Sequence, residues 1–276
     1  MNRKVFNCVI MAAALSGAAT ACAQRPFGTD RLAAGDARRH PNLAVASATG
    51  IRWGKPVRID NFRGTTLNRR RWFIYADLHP RPGHPRRSAK AVRVRHGELQ
   101  LIGHVDPRLG DVSGGIGDRF HQAYGRWKIR FRADPGRGYA AVVLLWPSDE
   151  NWPDEGEIDL AEVFDSTRQS AAEFLHYGHD NHQTGHRIKA DFTRWHVITV
   201  DWLPSHITFW LDGHKQRTVV RQANPRKNLV PSTPFRLGLQ NDQGCSGYCH
   251  RDKTTPKYVI MHVDWVKIYA VPSGVR

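Results

Sequence analysis

The segment from Trp152 to Phe164, WPDEGEIDLAEVF, sets five acids (Asp154, Glu155, Glu157, Asp159 and Glu162) among residues that belong in a hydrophobic core. Three of them form the pattern E-x-D-x-x-E. On a regular strand side chains alternate, so Glu157 and Asp159 share a face and the next residue on that face is Ala161. The acid falls one residue late, at Glu162. A single inserted residue, a β-bulge, returns Glu162 to the face of the other two and leaves Ile158 and Leu160 pointing into a core. A helix suits the pattern less well, because it would set Glu157 and Asp159 about 200° apart. Carboxyl groups crowded on one face raise one another's pKa, so one of them tends to keep a proton near neutral pH. One ionised and one protonated carboxyl group is what cleavage of a glycosidic bond requires: a nucleophile for the anomeric carbon and an acid for the leaving oxygen. Taken alone, three fixed positions fit an acidic solvent face of a sheet equally well.

The elements around the acids read as strands. YGRWKIRFRA alternates Trp127, Ile129 and Phe131 with Lys128, Arg130 and Arg132. HITFWLDG alternates Ile207, Phe209 and Leu211 with His206, Thr208 and Trp210, then closes on Asp212-Gly213, a hairpin-turn signal. WHVITVDW before it and RTVV after it extend the hairpin to a meander. AVRVRHGELQLIG, YAAVVLLW, PFRLGLQ and YVIMHVDWVKIYA supply further strands. No long segment carries a 3.6-residue apolar period with caps at both ends, and no internal repeat is present. About a dozen short strands in one domain predict an all-β, antiparallel two-sheet sandwich, in which pairing of the first and last strands makes a jelly roll.

The 276 residues and a hydrophobic fraction of 40% allow one sizeable core, so a single domain is expected over 51–276. Residues 1–24 read as an export signal: Arg3 and Lys4, an apolar run from Val5 to Leu15, then Ala19 and Ala21 in an A-x-A cleavage pattern. The run is too short for a stable membrane span. Cys22 fits lipid attachment less well than soluble export, because Ala19 stands where a lipobox usually has Leu. A secreted, periplasmic or envelope location follows. Residues 25–50, rich in Ala, Arg, Gly and Pro, read as a flexible leader. Cys245 and Cys249 in GCSGYCH would form a small-loop disulfide in an oxidising compartment. The net charge of +16 is compatible with a polyanionic partner, though a solvated basic surface explains it as well, and no nucleic-acid module accompanies it.

The context of the acidic segment resembles glycoside hydrolase family 16, the bacterial endo-β-glucanase and laminarinase-like group. The resemblance runs from about Ile51 to Ala270 through IDNFRG, LNRRRWFIY, YGRWKIRFRADPGRGYAAVVLLWP, NWPDEGEIDLAE, FTRWHVITVDWLPSHITFWLDG and VDWVKIY. It implies a concanavalin A-like jelly roll with an open cleft on the concave sheet and cleavage of a polysaccharide with retention. Carried over by position, Glu157 is the nucleophile, Glu162 the general acid/base, and Asp159 the group that tunes them. Trp152 becomes a sugar-stacking residue. Two departures stand out. Where many members carry a Trp, this chain has Leu144, with Trp146 two residues on. Where the family often has L-N in a late strand, this chain reads LQND, so either Gln240 or Asn241 takes the polar contact.

The implied substrate is a β-1,3- or mixed β-1,3-1,4-glucan, and the basic surface adds an acidic exopolysaccharide as a variant. A transglycosylase and a non-catalytic carbohydrate-binding module are the rival readings. A monomer is expected. No cofactor is required, and a structural calcium is compatible with the sequence. His176, His179, His182 and His186 read as a loop flanking the cleft rather than a metal site, with His176 either a sugar ligand or a rim residue. Trp127, Trp195, Trp202, Trp210 and Trp265 read as packing residues.

Overall fold

A computed structural model describes residues 50–77, 86–223, 229–243 and 250–275. The expected export signal, nearly all of the leader, Cys245 and Cys249 lie outside the described residues. Along the chain run β1 (Arg58–Asp60), β2 (Trp72–Ile74), β3 (Val92–Arg95), β4 (Glu98–Asp106), β5 (Gly110–Val112) and β6 (Gly115–Gln122). The middle of the chain carries β7 (Gly125–Ala133), β8 (Tyr139–Pro147), β9 (Glu157–Val163), β10 (Ser170–Tyr177) and β11 (His182–Lys189). Then come β12 (His196–Trp202), β13 (His206–Leu211), β14 (His214–Val220), β15 (Phe235–Gln243) and β16 (Tyr258–Tyr269). Helical structure among the described residues is limited to the 3-10 turns Tyr75–Asp77 and Ala89–Ala91, neither long enough to cross a membrane.

Two antiparallel sheets result. One runs β14-β13-β12-β7-β16-β4-β3, with β1 on β16 and β5 on β4; the other runs β11-β10-β9-β8-β15-β6-β2. The alternation read from the sequence is what the sheets use. Trp127, Ile129 and Phe131 of β7 and Ile207, Phe209 and Leu211 of β13 all enter the core between the sheets. β1 pairs with β16, the first strand with the last, as a jelly roll requires. The stretch AVRVRHGELQLIG, expected to supply strand, is a hairpin, β3–β4, turning at His96-Gly97, where both residues have positive φ (55° and 77°).

Two ionisable side chains are buried with the core, and neither was expected. Arg168 is fully buried after β9. Its guanidinium donates to the carbonyls of Val163 (2.9 Å), Asp165 (3.1 Å), Asp134 (2.9 Å), Gly136 (3.0 Å) and Tyr139 (2.9 Å). One side chain thus joins the end of β9 to the β7–β8 connection. Burial pulls its pKa down to about 10, so it stays charged at neutral pH. Glu173 of β10 is also fully buried, on the core side of its strand with Ala171 and Leu175. Neither of its carboxyl oxygens has a hydrogen-bond partner. Burial, only partly offset by Arg217, lifts its pKa from 4.5 to about 8.

These two residues should behave in opposite ways. Arg168→Ala leaves buried carbonyls without donors and should cost about 3 kcal/mol or more, a fall in Tm on the order of 10 °C. Arg168→Lys should recover little, because an ammonium cannot reproduce the planar fork. An unchanged Tm in either variant would contradict the clamp. For Glu173 the folded pKa lies above the unfolded one. Its penalty is therefore absent below pH 4.5, grows as pH rises and is complete above about pH 8. Glu173→Gln should raise Tm by about 5 °C at pH 8 and by little at pH 4. Equal gains at both pH values in a thermal scan would disprove the assignment.

Candidate active site

On β9, Ile158, Leu160, Ala161 and Val163 are all fully buried in the core between the sheets, while Glu157, Asp159 and Glu162 take the other, concave face. Two consecutive residues, Leu160 and Ala161, share the core side. The register confirms the inserted residue: Glu162 pairs with Ala172 and Asp159 with Phe174, so three steps on β9 match two on β10. The neighbouring β8 shows the same slip, between Val143 and Leu144. The expected bulge is present and brings the three carboxyl groups onto one face.

The indole of Trp152 donates from Nε1 to Glu157 Oε2 at 3.0 Å. Trp146 stacks on Trp152 with ring centroids 5.7 Å apart and 14° between planes, and donates to Glu150 Oε2 at 3.0 Å. Because i and i+2 share a strand face, Trp146 and Leu144 both look into the cleft. The departure noted at Leu144 therefore moves an indole along the same wall. Glu150 in turn holds Arg236, whose guanidinium lies over Phe73 at 5.4 Å. His176 stands opposite Glu157 in the register, buried rather than on the rim. Its Nε2 is 3.3 Å from Asp159 Oδ2 and its Nδ1 2.8 Å from Asn181 Oδ1. The other histidines of the run are spread over the β10–β11 hairpin, with His182 paired to Tyr177 and His186 to Glu173. They form no common site with His176.

Of the two candidates on β15, only Gln240 faces the cleft. Asn241 is a correction: it points into the core, where its Nδ2 donates to the carbonyls of Leu101 (3.1 Å) and Val259 (2.7 Å) on the opposite sheet. Register explains the difference, since Gln240 lies opposite Val142 and Asn241 opposite Ala141, one on each face of β8. Two residues beyond Gln240, Asp242 shares its face. Arg87 donates to both, at 3.2 Å to Gln240 Oε1 and 2.5 Å to Asp242 Oδ1. Tyr75 lies on the same floor. A Cβ at Gly115 would come within 2.5 Å of its ring, and one at Gly238 within 2.7 Å of its hydroxyl. Sequence reasoning missed Tyr75, Arg87, Arg236 and Asp242. The one local signal was the run Gly114-Gly115-Ile116-Gly117, small residues on a strand where another chain segment approaches closely.

Burial raises Glu157 well above the usual carboxylate range, helped by the charge and hydrogen bond of Asp159 and opposed by the Trp152 N–H. Burial likewise raises Glu162, with Asp159 and then Glu157 adding to it and His176 opposing. Burial alone would lower His176, but the hydrogen bond and charge of Asp159, with Asn181 and Glu162, leave it raised. The row therefore holds fewer negative charges near neutrality than it has carboxyl groups. Glu157, Asp159 and His176 each place one ligand atom within 4.8 Å of the others, a spacing that suits a cation. A proton kept on a raised glutamate, together with the His176 imidazole, serves the same electrostatic purpose.

The family description glycosyl hydrolases family 16 matches residues 86–267. A β-glucanase of Rhodothermus marinus is 30% identical over 100 residues, 32% of this chain and 35% of that protein, so the chain spans about a third of the length of this curated relative. The catalytic domain of an endo-1,3-β-glucanase (laminarinase) from Thermotoga petrophila RKU-1 superposes with TM-score 0.71 at 18% identity, covering 79% of this chain and 98% of that one. SCLam, a non-specific endo-β-1,3(4)-glucanase, does so with TM-score 0.69 at 22% identity, covering 79% and 91%. At these identities the two structures share the fold, an all-β sandwich of two antiparallel sheets.

The electrostatics of the row can be read directly. Asp159→Asn removes a charge that raises both glutamates, so Glu157 and Glu162 should release their protons at lower pH. A downward shift of about one unit or more in the carboxyl titrations, followed by 13C NMR of labelled glutamate, is expected. Titrations that stay put or move up would show that Asp159 does not set them.

Proposed function

The chain belongs to glycosyl hydrolases family 16, and on that premise we propose that it is an exported, endo-acting glycosidase that cleaves a β-1,3- or mixed β-1,3-1,4-glucan with retention. The observation that carries the roles is an asymmetry between the two glutamates. Glu157 receives the Trp152 N–H, a donor that favours the ionised form. Glu162 is offered no hydrogen-bond donor among the described residues, and the charges of Asp159 and Glu157 each raise it more than His176 lowers it, so the proton resides there most readily. Glu157 is then the nucleophile and Glu162 the acid that protonates the leaving oxygen and afterwards, as a base, activates water. Asp159, on the same face between them, favours the protonated form of each glutamate by its charge, and His176 Nε2 stands 3.3 Å from its Oδ2. Retention calls for carboxyl groups ~5–5.5 Å apart, which two glutamates leaning together from one bulged strand can supply.

The stacked Trp146 and Trp152 offer an aromatic wall to the C–H face of a pyranose, while Gln240 and Arg87 offer polar contacts to hydroxyls. The charges of the cleft favour a neutral chain over the acidic exopolysaccharide considered from composition. Its arginines are matched by acids, Arg236 by Glu150 and Arg87 by Asp242. The carboxyl row remains in addition, and it would repel a polyanion. A purely binding role leaves two raised, juxtaposed glutamates without use. A transglycosylase would use the same residues with a sugar in place of water as acceptor.

Glu157→Ala and Glu162→Ala should each reduce kcat on a soluble β-glucan by about 10³-fold or more. Azide should restore turnover of an activated substrate in both variants; by 1H NMR the glycosyl azide should have retained configuration in Glu162→Ala and inverted configuration in Glu157→Ala. Azide product of retained configuration from that variant would remove Glu157 from the nucleophile's role. Activity should fall as pH rises through the raised pKa of Glu162. Reducing-sugar release from a panel of neutral and anionic glycans reports the substrate class, and a preference for anionic chains would overturn the neutral assignment.

A further inference from the structure

The net charge of +16 is not spent in the cleft, where arginines and acids pair. Part of it stands on the other side of the molecule. The outward face of β7 carries Arg126, Lys128, Arg130 and Arg132, since Trp127, Ile129 and Phe131 point into the core. Three of these four have carboxylate partners: Arg126 binds Asp201, Arg130 binds Asp264 and Arg132 binds Asp134. Among the described residues Lys128 has none, and the residue directly opposite it on β16 is Lys267. Like charges facing each other on adjacent strands are destabilising, and burial, Arg126 and Lys267 together hold the pKa of Lys128 down despite Asp201. Beside the pair lies a half-buried indole: Lys267 Nζ sits 4.6 Å from the ring centre of Trp265, which is paired in register with Arg130. Trp195 flanks the same surface under Arg130 and Arg132, at 4.8 and 5.3 Å.

We propose that this outer face is a second carbohydrate-binding site that takes a carboxylated polysaccharide, with Lys128 and Lys267 holding a uronate carboxylate and Trp265 stacking on the sugar ring beside it. Two adjacent ammonium groups without a carboxylate of their own among the described residues match one bound anion, and an indole next to them favours a sugar over a bare ion or a phosphodiester backbone. The site and the carboxyl row lie on opposite faces of the sandwich, so a chain held here does not compete with one in the cleft. The enzyme would be tethered to an acidic matrix while its cleft works on a neutral chain. The inference does not depend on the glycosidase reading: binding at the outer face and turnover in the cleft are measured separately.

The test is binding of the full chain to polygalacturonate, with dextran, poly(dT) and phosphatidylglycerol vesicles as comparison probes, in 0.1 M salt. Lys128→Gln/Lys267→Gln should weaken polygalacturonate binding at least tenfold, and Trp265→Ala about fivefold. Arg108→Gln/Lys253→Gln, which removes the same charge from two exposed turns, should change it less than twofold. Cleavage of a small neutral substrate should be unaffected by all three. In the wild-type protein, trigalacturonate should perturb the NMR signals of Lys128, Lys267 and the Trp265 indole. That measurement decides the matter even if a variant fails to fold. Equal weakening by the two double variants would reveal diffuse charge attraction and overturn the proposal. So would binding to poly(dT) or vesicles as tight as to polygalacturonate, or an unperturbed Trp265.

Discussion

Three carboxyl groups buried side by side on one strand are the constraint from which the rest of this structure follows. An isolated buried carboxylate costs several kcal/mol, and three in a row cannot all be ionised. The fold answers by raising the pKa of Glu157 and Glu162, so that protonation is favoured, with an indole N–H on Glu157 and an imidazole beside Asp159. The same strand must also deliver four apolar side chains to the core. The bulge at Leu160-Ala161 reconciles the two demands, because it lets adjacent residues face inward without moving the acids off the cleft. Arg168 then fixes the end of β9 to the connection that precedes β8, so the strand carrying the acids is held at its C-terminal end by a cation reading five carbonyls.

The cleft is a long-range construction. Trp146 and Trp152 come from the β8–β9 region and stack on each other, while Gln240 and Asp242 of β15 are joined to Arg87, from the segment before β3, by hydrogen bonds spanning more than 150 residues. Tyr75 completes the floor because Gly115 and Gly238 let a second layer of side chains lie directly on the sheet. Polar groups in such a place are costly unless matched. The matching of arginines with acids along the cleft makes it a surface that binds hydroxyls rather than fixed charges.

Charge is therefore divided between the two faces of the sandwich. The concave face concentrates acids and balances its arginines. The outer face of the other sheet keeps Lys128 and Lys267 together beside a half-buried indole. A single net charge conceals this division, which is why composition alone favoured a plain solvated basic surface over a polyanionic partner.

Much of the architecture was legible in the chain because alternation is a local property. Period-2 patterns marked the strands, and the late placement of Glu162 required the inserted residue found at Leu160-Ala161. The proximity of Trp152 to Glu157 was also a matter of a few residues. What sequence could not decide was which strands would lie side by side and which layer would cover them. Gln240 and Asn241 are adjacent in sequence, and only the pairing of β15 with β8 sent one to the cleft and the other to the carbonyls of the opposite sheet. Arg168, Glu173 and the partners of Arg87 were hidden for the same reason. A residue's own type and spacing determine which way its side chain points along a strand, but its burial and its hydrogen-bond partners are properties of segments far away in the chain that only the packed fold brings next to it.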